Sequence, residues 1–414
     1  MISVADIRKA AAAIKGRVIR TPVVYSPTFS RLTGSEVYLK LENLQETGSF
    51  KIRGATYKIL KGLDPKSREN GVVAASAGNH AQGVALAATR AGLRSTILMP
   101  EWASISKQEA TRGYGGEVIL EGKSVADAIT RARELAEAGK AFIHPFDDPM
   151  IIAGQGTIAL EILEDLPDTD MIIVPIGGGG LISGIASGAR ELKPGIRIVG
   201  VQAETCPSAL EAIESGKRRP VEVGRSIADG ITVKEIGELP FEIIRSRVDE
   251  IVLVSEDRIA EAVLVLLESK KILAEGAGAV SAAAVLSGAV TLPRGGKTVL
   301  VISGGNMDSP ILDRVIRKGL SRNGRIIRFA VCLDDVPGSL SLLLSIIAQT
   351  KANVLQIVHT RGAGNLSIYQ SVVELELETR NAAHIREISE SLKAAGYKIE
   401  PHPQNSWFYT SLLV

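Results

Sequence analysis

Apolar and polar positions along this chain follow two periods, and the switches between them predict a repeated strand and helix order. Residues 6–16 read as a helix, with Ile7, Ala10 or Ala11 and Ile14 on one face. Thr21-Pro22-Val23 stops it and starts an extended segment, and residues 36–41 alternate as a strand. A polar loop, residues 42–48, then delivers Ser49-Phe50-Lys51, and a helix from Ile52 towards Leu60 follows at once. Lys51 is thereby expected at a loop-to-helix junction, where nearby amides and Arg53 lower its pKa if the site is closed.

From Gly71 the pattern becomes strand, helix, strand. Residues 72–75, 96–99, 118–120 and 141–143 are short apolar strands, with helices over 81–90 and 124–137. This rhythm implies a parallel sheet covered on both faces. Ligands bind beyond the carboxyl ends of such strands. Ser76-Ala77-Gly78-Asn79-His80 occupies such an end, and its small residues leave amides open to a carboxylate. An ordinary turn using Ser and Asn for local hydrogen bonds explains the same residues.

The next unit is sharper. Met171 to Pro175 is a buried-strand pattern, Gly177-Gly178-Gly179-Gly180 follows, and a helix runs over 181–192. Consecutive glycines there cost backbone entropy, and a phosphate held at the helix N-terminus is a physical reason to accept that cost. A dinucleotide site competes: Gly178 and Gly180 lead to Ser183 where a third glycine is wanted, and Glu204 ends the strand 198–203 as a ribose-binding acid would. That reading leaves the Lys51 segment unexplained. Residues 208–215 form a short helix, and 216–230 a polar, basic connection expected to cross the surface. A strand at 251–254 leads to Ser255, an N-cap candidate for a helix to about 269 with Glu256 and Asp257 in its first turn. An alanine-rich helix over 275–288 precedes the strand 298–302, then Ser303-Gly304-Gly305-Asn306 and a helix over 309–320 with Pro310 in its first turn.

At Gly324 the character changes. Strands at 326–332, 353–360, 366–378 and 398–400, with helices at 339–348 and 382–395, give the order βαββαβ of a ferredoxin-like domain. It carries no cluster of nucleophile, base or metal ligands and reads as a binding or regulatory module, with His359 packed or exposed on a strand. Residues 403–414, with Trp407, Phe408 and Tyr409, are a docking tail or an appendage.

Composition narrows the class. A length of 414 residues implies two or three domains, and 45% apolar with 23% charged residues is the balance of a soluble globular protein. A net charge of +2 without a long basic run gives no support to nucleic-acid binding. Cys206 and Cys332 form no metal-type pair and fit a reducing, cytoplasmic setting. The first twenty residues are a charged, alanine-rich helix, not a signal peptide. The uncharged stretch 276–293 is nearly long enough to raise a membrane question, but its Gly, Ala, Ser and Val residues behind Glu275 read as a buried helix.

A half-buried lysine relieved of its proton can form a Schiff base with an aldehyde cofactor and later move a proton. Such a cofactor needs a phosphate cradle and a ring partner. Taken together, Ser49-Phe50-Lys51-Ile52-Arg53-Gly54-Ala55, the run from Ser76 to Gln82, Gly177 to Leu181 and Ser303-Gly304-Gly305-Asn306 resemble the threonine dehydratases. These are pyridoxal-phosphate enzymes of the tryptophan-synthase-β fold type (fold type II). The resemblance covers about residues 5–320, with the motifs in the family's order. The tail, through Asp335-Val336-Pro337-Gly338-Ser339-Leu340, resembles an ACT domain, a module that senses amino acids.

The resemblance implies an α/β catalytic domain over 1–322 built of two parallel-sheet subdomains, the smaller and mobile one at roughly 50–150. An ACT-like regulatory domain over 325–402 and a tail over 403–414 follow. It implies pyridoxal 5'-phosphate held covalently by Lys51, with Asn79 on its ring hydroxyl, Gly177, Gly178, Gly179, Gly180 and Leu181 on its phosphate, and Ser303 facing the ring nitrogen. Ser76, Ala77, Gly78, Asn79 and His80 would take the substrate carboxylate, His80 more by structure than by catalysis. Freed Lys51 would remove the α-proton, and the β-hydroxyl would leave with the cofactor phosphate as acid. A hydroxyl at Ser303 makes a shallow electron sink, which suits elimination better than transamination. The implied reaction is deamination of L-threonine to 2-oxobutanoate and ammonia, with L-serine to pyruvate beside it. A hydrophobic amino acid such as isoleucine or valine, bound near residues 335–340 at a subunit contact of a homo-oligomer, would regulate it, as in isoleucine biosynthesis.

Related serine racemases place a cation near the positions of Glu204 and Ser208, but a plain surface acid is the favoured reading, and no metal is expected. Asp147 and Glu275 border the pocket without a role. A racemase or serine dehydratase of the same fold, or a non-catalytic amino-acid sensor, is the alternative. Retention of Lys51, Asn79 and Ser303 speaks against the sensor.

Overall fold

Two parallel sheets carry the first of two compact units, Met1–Ile311 and Leu312–Val414, in a computed structural model that describes residues 2–361 and 367–401. The loop at 362–366 and the tail at 403–414 lie outside the described residues.

The larger sheet has six strands in the order Val23–Tyr25, Glu36–Leu41, Lys297–Ile302, Met171–Pro175, Arg197–Ala203 and Glu250–Val254. Only the first pairing is antiparallel. The smaller sheet is wholly parallel, in the order Glu117–Leu120, Ser95–Met99, Val72–Ala75 and Ala141–Phe142. The central strands are buried end to end, as expected when helices cover both faces. With few aromatics available, their cores are aliphatic: Ile172, Val174, Val299 and Val301 pack on Ile182 and Ile185, and Val72, Ala74, Ile97 and Met99 on Val84 and Ile59.

Five helices went unread in the sequence: Pro27–Thr33, Pro65–Asn70, Ile105–Gly113, Pro149–Asp165 and Glu238–Arg247. The longest, Pro149–Asp165, is buried over most of its length and shows no polar face to reveal a helical period. It is also the bed of the site. Gly54 of the helix Lys51–Lys61 meets Gly154, where a Cβ on Gly154 would lie 2.5 Å from the Gly54 Cα. Gly184 of the helix Gly180–Leu192 meets Gly156, where a Cβ on Gly184 would lie 2.5 Å from the Gly156 nitrogen. These contacts seat the lysine-bearing helix and the tetraglycine helix on one support.

The stretch behind Glu275 is the buried helix Gly276–Leu286, and among the described residues no helix is long and apolar enough to cross a membrane. The connection 216–230 does not simply cross the surface. Its end packs inward, so that a Cβ on Gly276 would lie 2.2 Å from the Ile227 carbonyl oxygen. Ser255 does precede the helix Glu256–Lys270, but its side chain makes no capping bond.

In the second unit, strands Ile326–Asp334, Asn353–Arg361, Gln370–Glu378 and Ile399–Pro401 alternate with helices Ser339–Gln349 and Ala382–Ala394 in the order βαββαβ. The sheet is antiparallel, in the order second, third, first, fourth strand. Ile327, Phe329, Val331 and Leu333 point inward at every second position and meet Leu343, Ile347, Ile385 and Ile388. His359 is half-buried and pairs with Ser371 Oγ at 2.9 Å.

Candidate active site

The site is assembled at the carboxyl ends of both sheets. Ser76 follows Val72–Ala75, the tetraglycine turn follows Met171–Pro175, Ser303 follows Lys297–Ile302, and residues 143–148 follow Ala141–Phe142.

Lys51 opens its helix, and its Nζ donates to the Pro145 carbonyl at 2.8 Å. Burial pushes its pKa down to about 8, and the Glu275 carboxylate partly opposes the shift. Arg53 plays no part in this, contrary to the expectation from sequence. Its guanidinium turns away and is fully buried between Glu42 and Glu161, with Nε 2.8 Å from Glu42 and Nη1 2.7 Å from Glu161. Lys40 joins the same group, 2.6 Å from Glu161 and 2.6 Å from the Thr21 carbonyl. Phe50 N donates to the Ser303 carbonyl at 3.1 Å, and Ser49 bridges to Gly304, so the lysine segment is tied directly to the Ser303 loop. Ser303 is buried, and its Oγ donates to the Ala277 carbonyl at 3.4 Å.

The glycine turn sits close by. Gly179 has φ +92°, a conformation suited to glycine, and the helix begins at Gly180. A Cβ on Gly178 would lie 2.3 Å from the Phe146 ring. Within the protein the backbone N–H groups of Gly177 to Leu181 donate to no acceptor among the described residues. Free amides at the N-terminus of a buried helix form a natural anion cradle. The donor set therefore fits a phosphate here, with an amine of lowered pKa at Lys51 beside it.

The loop from Ser76 to Gly78 lies half-buried, with Gly78 N donating to Ser76 Oγ at 3.2 Å, and Asn79 opens the helix Asn79–Arg90. Ala77 packs against the core of the smaller sheet. Asn79 Nδ2 donates to Glu275 at 2.6 Å and its Oδ1 accepts from Asn306 at 2.7 Å. His80 is buried with Nε2 2.8 Å from the Ile143 carbonyl, and burial with nearby Lys51 pushes its pKa down to about 3. Glu275 is buried, and burial followed by the charge of Asp229 pushes its pKa up to about 7.

Of the segment 143–148, where contacts converge, sequence reasoning reached only the strand end at Ile143 and Asp147 at the pocket border, and missed His144, Pro145, Phe146 and Asp148. The His144 Nδ1 accepts from Asp147 N at 2.8 Å, which leaves a neutral ring carrying its proton on Nε2. Pro145 faces Lys51 and Phe146 faces the glycines. Asp147 does not line the pocket as an acid; it caps the helix Glu238–Arg247, accepting from Glu238 N at 2.9 Å and Leu239 N at 3.0 Å. Asp148 caps Pro149–Asp165 and holds Lys58 at 2.6 Å. An Asp before Pro149 was the available signal, since that pair marks a helix start. Glu204 is exposed, Ser208 is buried against Gln202, and no cluster of potential metal ligands occurs among the described residues.

Fold and site define a fold type II enzyme: parallel sheets, a lysine of lowered pKa and an anion cradle at their carboxyl ends. The chain belongs to the pyridoxal-phosphate dependent enzyme family, whose sequence model matches residues 14–304. It is 49% identical to an L-threonine ammonia-lyase of Thermotoga maritima over 96% of this chain and 99% of that protein. The crystal structure of a T.th. threonine deaminase aligns with a TM-score of 0.69 at 39% identity, over 74% of this chain and 99% of that one. A maize serine racemase aligns with a TM-score of 0.72 at 35% identity, over 78% of this chain and 99% of that one.

Proposed function

We propose that the chain is an L-threonine ammonia-lyase, converting L-threonine to 2-oxobutanoate and ammonia and, secondarily, L-serine to pyruvate. The observation that carries this reading is Lys51: an amine with a pKa brought to about 8 that donates to the Pro145 carbonyl, next to Phe146, whose ring lies against the glycine turn. Identity of 49% to an L-threonine ammonia-lyase across nearly all of both chains supports the choice of substrate.

Lys51 Nζ, Asn79 Nδ2, the amides of Gly177, Gly178, Gly179, Gly180 and Leu181, and Ser303 Oγ are the groups that would hold pyridoxal phosphate. When bound, the cofactor supplies an electron-withdrawing ring conjugated to the substrate's α-carbon. The residues divide the remaining work. Lys51 Nζ takes the α-proton, since an amine with a pKa near 8 is largely able to accept one at mildly alkaline pH. The loop from Ser76 to His80 receives the substrate carboxylate through the amides of Ala77, Asn79 and His80 and the Ser76 hydroxyl, since Ser76 N is held by the Leu98 carbonyl and Gly78 N by Ser76 Oγ. Ser303 contributes a neutral hydroxyl, so no carboxylate reinforces positive charge at the ring. His80 stays neutral and braces the loop through Ile143.

The domain boundaries follow the same reading: catalytic residues 1–322 with a mobile smaller part near 50–150, and an ACT-like regulatory module over 325–402. The motivation is the βαββαβ order with its antiparallel sheet, and the Pro337-Gly338 turn ahead of the helix Ser339–Gln349. A branched-chain amino acid near residues 335–340 would act there, in a cytoplasmic homo-oligomer serving isoleucine formation. The T.th. threonine deaminase is spanned almost completely by about three-quarters of this chain, which supports a self-sufficient catalytic part.

The test is an oxo-acid assay with threonine and serine, with and without isoleucine and valine, on the full chain and on a chain ended at residue 324. We expect 2-oxobutanoate to form fastest, both chains to be active, and only the full chain to respond to the effector. D-serine as the main product from L-serine would favour a racemase. An effector response in the shortened chain would remove the regulatory reading.

A further inference from the structure

The motifs place Asn79 at the site but leave two of its neighbours without a task. We propose that Glu275 and Asn306 are positioning residues that lock the Asn79 side-chain amide in one orientation, reserving one Nδ2 hydrogen for an oxygen of the bound cofactor. This rests on the reading of the site given above and deepens it.

An asparagine amide is nearly symmetrical in shape but not in chemistry, since one end donates and the other accepts. Left alone at a ligand, it can present the wrong end. Here both ends are anchored. Asn306 Nδ2 donates to the Thr47 carbonyl at 2.7 Å, and a backbone carbonyl can only accept, so the orientation of Asn306 is fixed. The same Nδ2 donates to Asn79 Oδ1 at 2.7 Å and lies 3.4 Å from Gln82 Oε1. That fixes which end of Asn79 is oxygen. On the other side Asn79 Nδ2 donates to Glu275 Oε1 at 2.6 Å, which uses one of its two hydrogens.

The backbone is cut to fit this brace. A Cβ on Gly304 would lie 2.2 Å from Glu275 Oε1, and a Cβ on Gly48 would lie 2.2 Å from Asn306 Oδ1. Any side chain at either position would displace a member of the brace. Gly304 directly follows Ser303, so the same loop that supplies the ring partner also makes room for Glu275.

Glu275 faces charged groups from three elements: Asp229 of the turn Asp229–Ile231, Lys107 of the helix Ile105–Gly113, and Lys51. Burial and Asp229 hold its pKa up, at about 7, against Lys107, Asn79 and Lys51. The hydrogen bond it accepts from Asn79 therefore weakens as pH falls through neutrality, because the neutral acid is the poorer acceptor.

The experiment uses the full-length holoenzyme and follows two quantities besides turnover: the absorption band of the bound cofactor and its dissociation constant for pyridoxal phosphate. Asn79→Ala, Glu275→Ala and Asn306→Ala should each move the band in the same direction and weaken cofactor binding about tenfold, the loss of one good hydrogen bond. The double variants Glu275→Ala/Asn79→Ala and Asn306→Ala/Asn79→Ala should bind no more weakly than Asn79→Ala alone, because the brace acts only through Asn79. Glu275→Gln keeps an acceptor without a charge. It should bind within about threefold of wild type yet lose the pH-dependent step in the band centred at about 7. Should Glu275→Ala fail to fold, Asn306→Ala and Glu275→Gln decide the matter.

Losses that add in full in the double variants would overturn the inference. So would an unchanged band in Asn306→Ala, or a pH-dependent step that persists in Glu275→Gln, alongside a shifted band in Asn79→Ala. An unchanged band in Asn79→Ala itself would also end it. Failure of the underlying reading looks different: the wild type would show no band, or a band that survives Lys51→Ala and borohydride treatment.

Discussion

Two buried lysines on neighbouring elements are partnered in different ways. Lys40 has a fully buried side chain, yet it reaches Glu161 at 2.6 Å inside a closed group in which Arg53 is flanked by Glu42 and Glu161. Two positive charges face two negative ones, and Thr21, Thr157 and Gln45 bind the remaining polar atoms. Lys51 lies two residues before Arg53 and, among the described residues, has only a backbone carbonyl within hydrogen-bond reach, with Glu275 acting at a distance. In the first arrangement burial pushes the Lys40 pKa down as well, but the carboxylates of Glu42 and Glu161 oppose that shift directly. The second leaves an ammonium that gives up its proton far more readily than a free lysine. Reactivity at Lys51 comes from withheld pairing, and the paired group beneath it keeps the helix that carries it in place.

Removing Lys51 should have the largest effect on catalysis and little on the fold. Lys51→Ala should lower turnover of threonine by on the order of a thousandfold or more, because both the covalent anchor and the base are lost. Stopped assays for 2-oxobutanoate and borohydride trapping of the cofactor check this; turnover at the wild-type rate would refute the assignment. Arg53→Met probes the other half of the comparison. It strands the fully buried Glu42 without its guanidinium, and breaking such a pair costs about 3–5 kcal/mol. Urea unfolding should show that loss, with a midpoint well below wild type. A loss under about 1 kcal/mol would mean that Lys40 alone can balance both acids.

Much of the frame was legible in the sequence because its signals are local. The strands Val72–Ala75, Met171–Pro175 and Lys297–Ile302 announce themselves as apolar runs ending in small residues, and the four glycines mark the cradle. The alternation of Ile327, Phe329, Val331 and Leu333 gave the first strand of the second unit. What stayed hidden depends on contacts between distant segments. Pro149–Asp165 is buried almost without a break from Ile151 to Ile162, its polar Gln155 and Thr157 included, so no exposed polar stripe marks a helical period. The role of Pro145 lies in its carbonyl, which no side-chain pattern reports. Arg53 looked like a neighbour able to act on Lys51, but residues two apart on a helix face different ways, and Arg53 points to Glu42 and Glu161. Glu275 stands 196 residues from Asn79, and only the fold joins them.

The smallest expected effect tests the electrostatic half of the comparison by itself. In the cofactor-free protein the Lys51 pKa stands at about 8, against 10.5 for an ordinary lysine. Between those values the unfolded chain binds the more protons, so stability contributed at this site rises with pH across that window. Below about pH 8 the whole penalty of burying the ammonium is present. Lys51→Met fills similar space without a charge. It should therefore be more stable than the cofactor-free wild type by about 1–3 kcal/mol at pH 7, with the advantage shrinking as pH approaches 10. Urea unfolding of both cofactor-free proteins across that range measures the difference; groups uncoupled from Lys51 cancel, and the coupled Glu275 and His80 titrate at about 7 and about 3, below the window in which the gap should shrink. A gap that stays constant with pH would mean that Lys51 keeps an ordinary pKa, with the cost of its burial fully offset by its surroundings. The contrast between the two lysines would then be one of position alone, and proton removal at the α-carbon would need a different base.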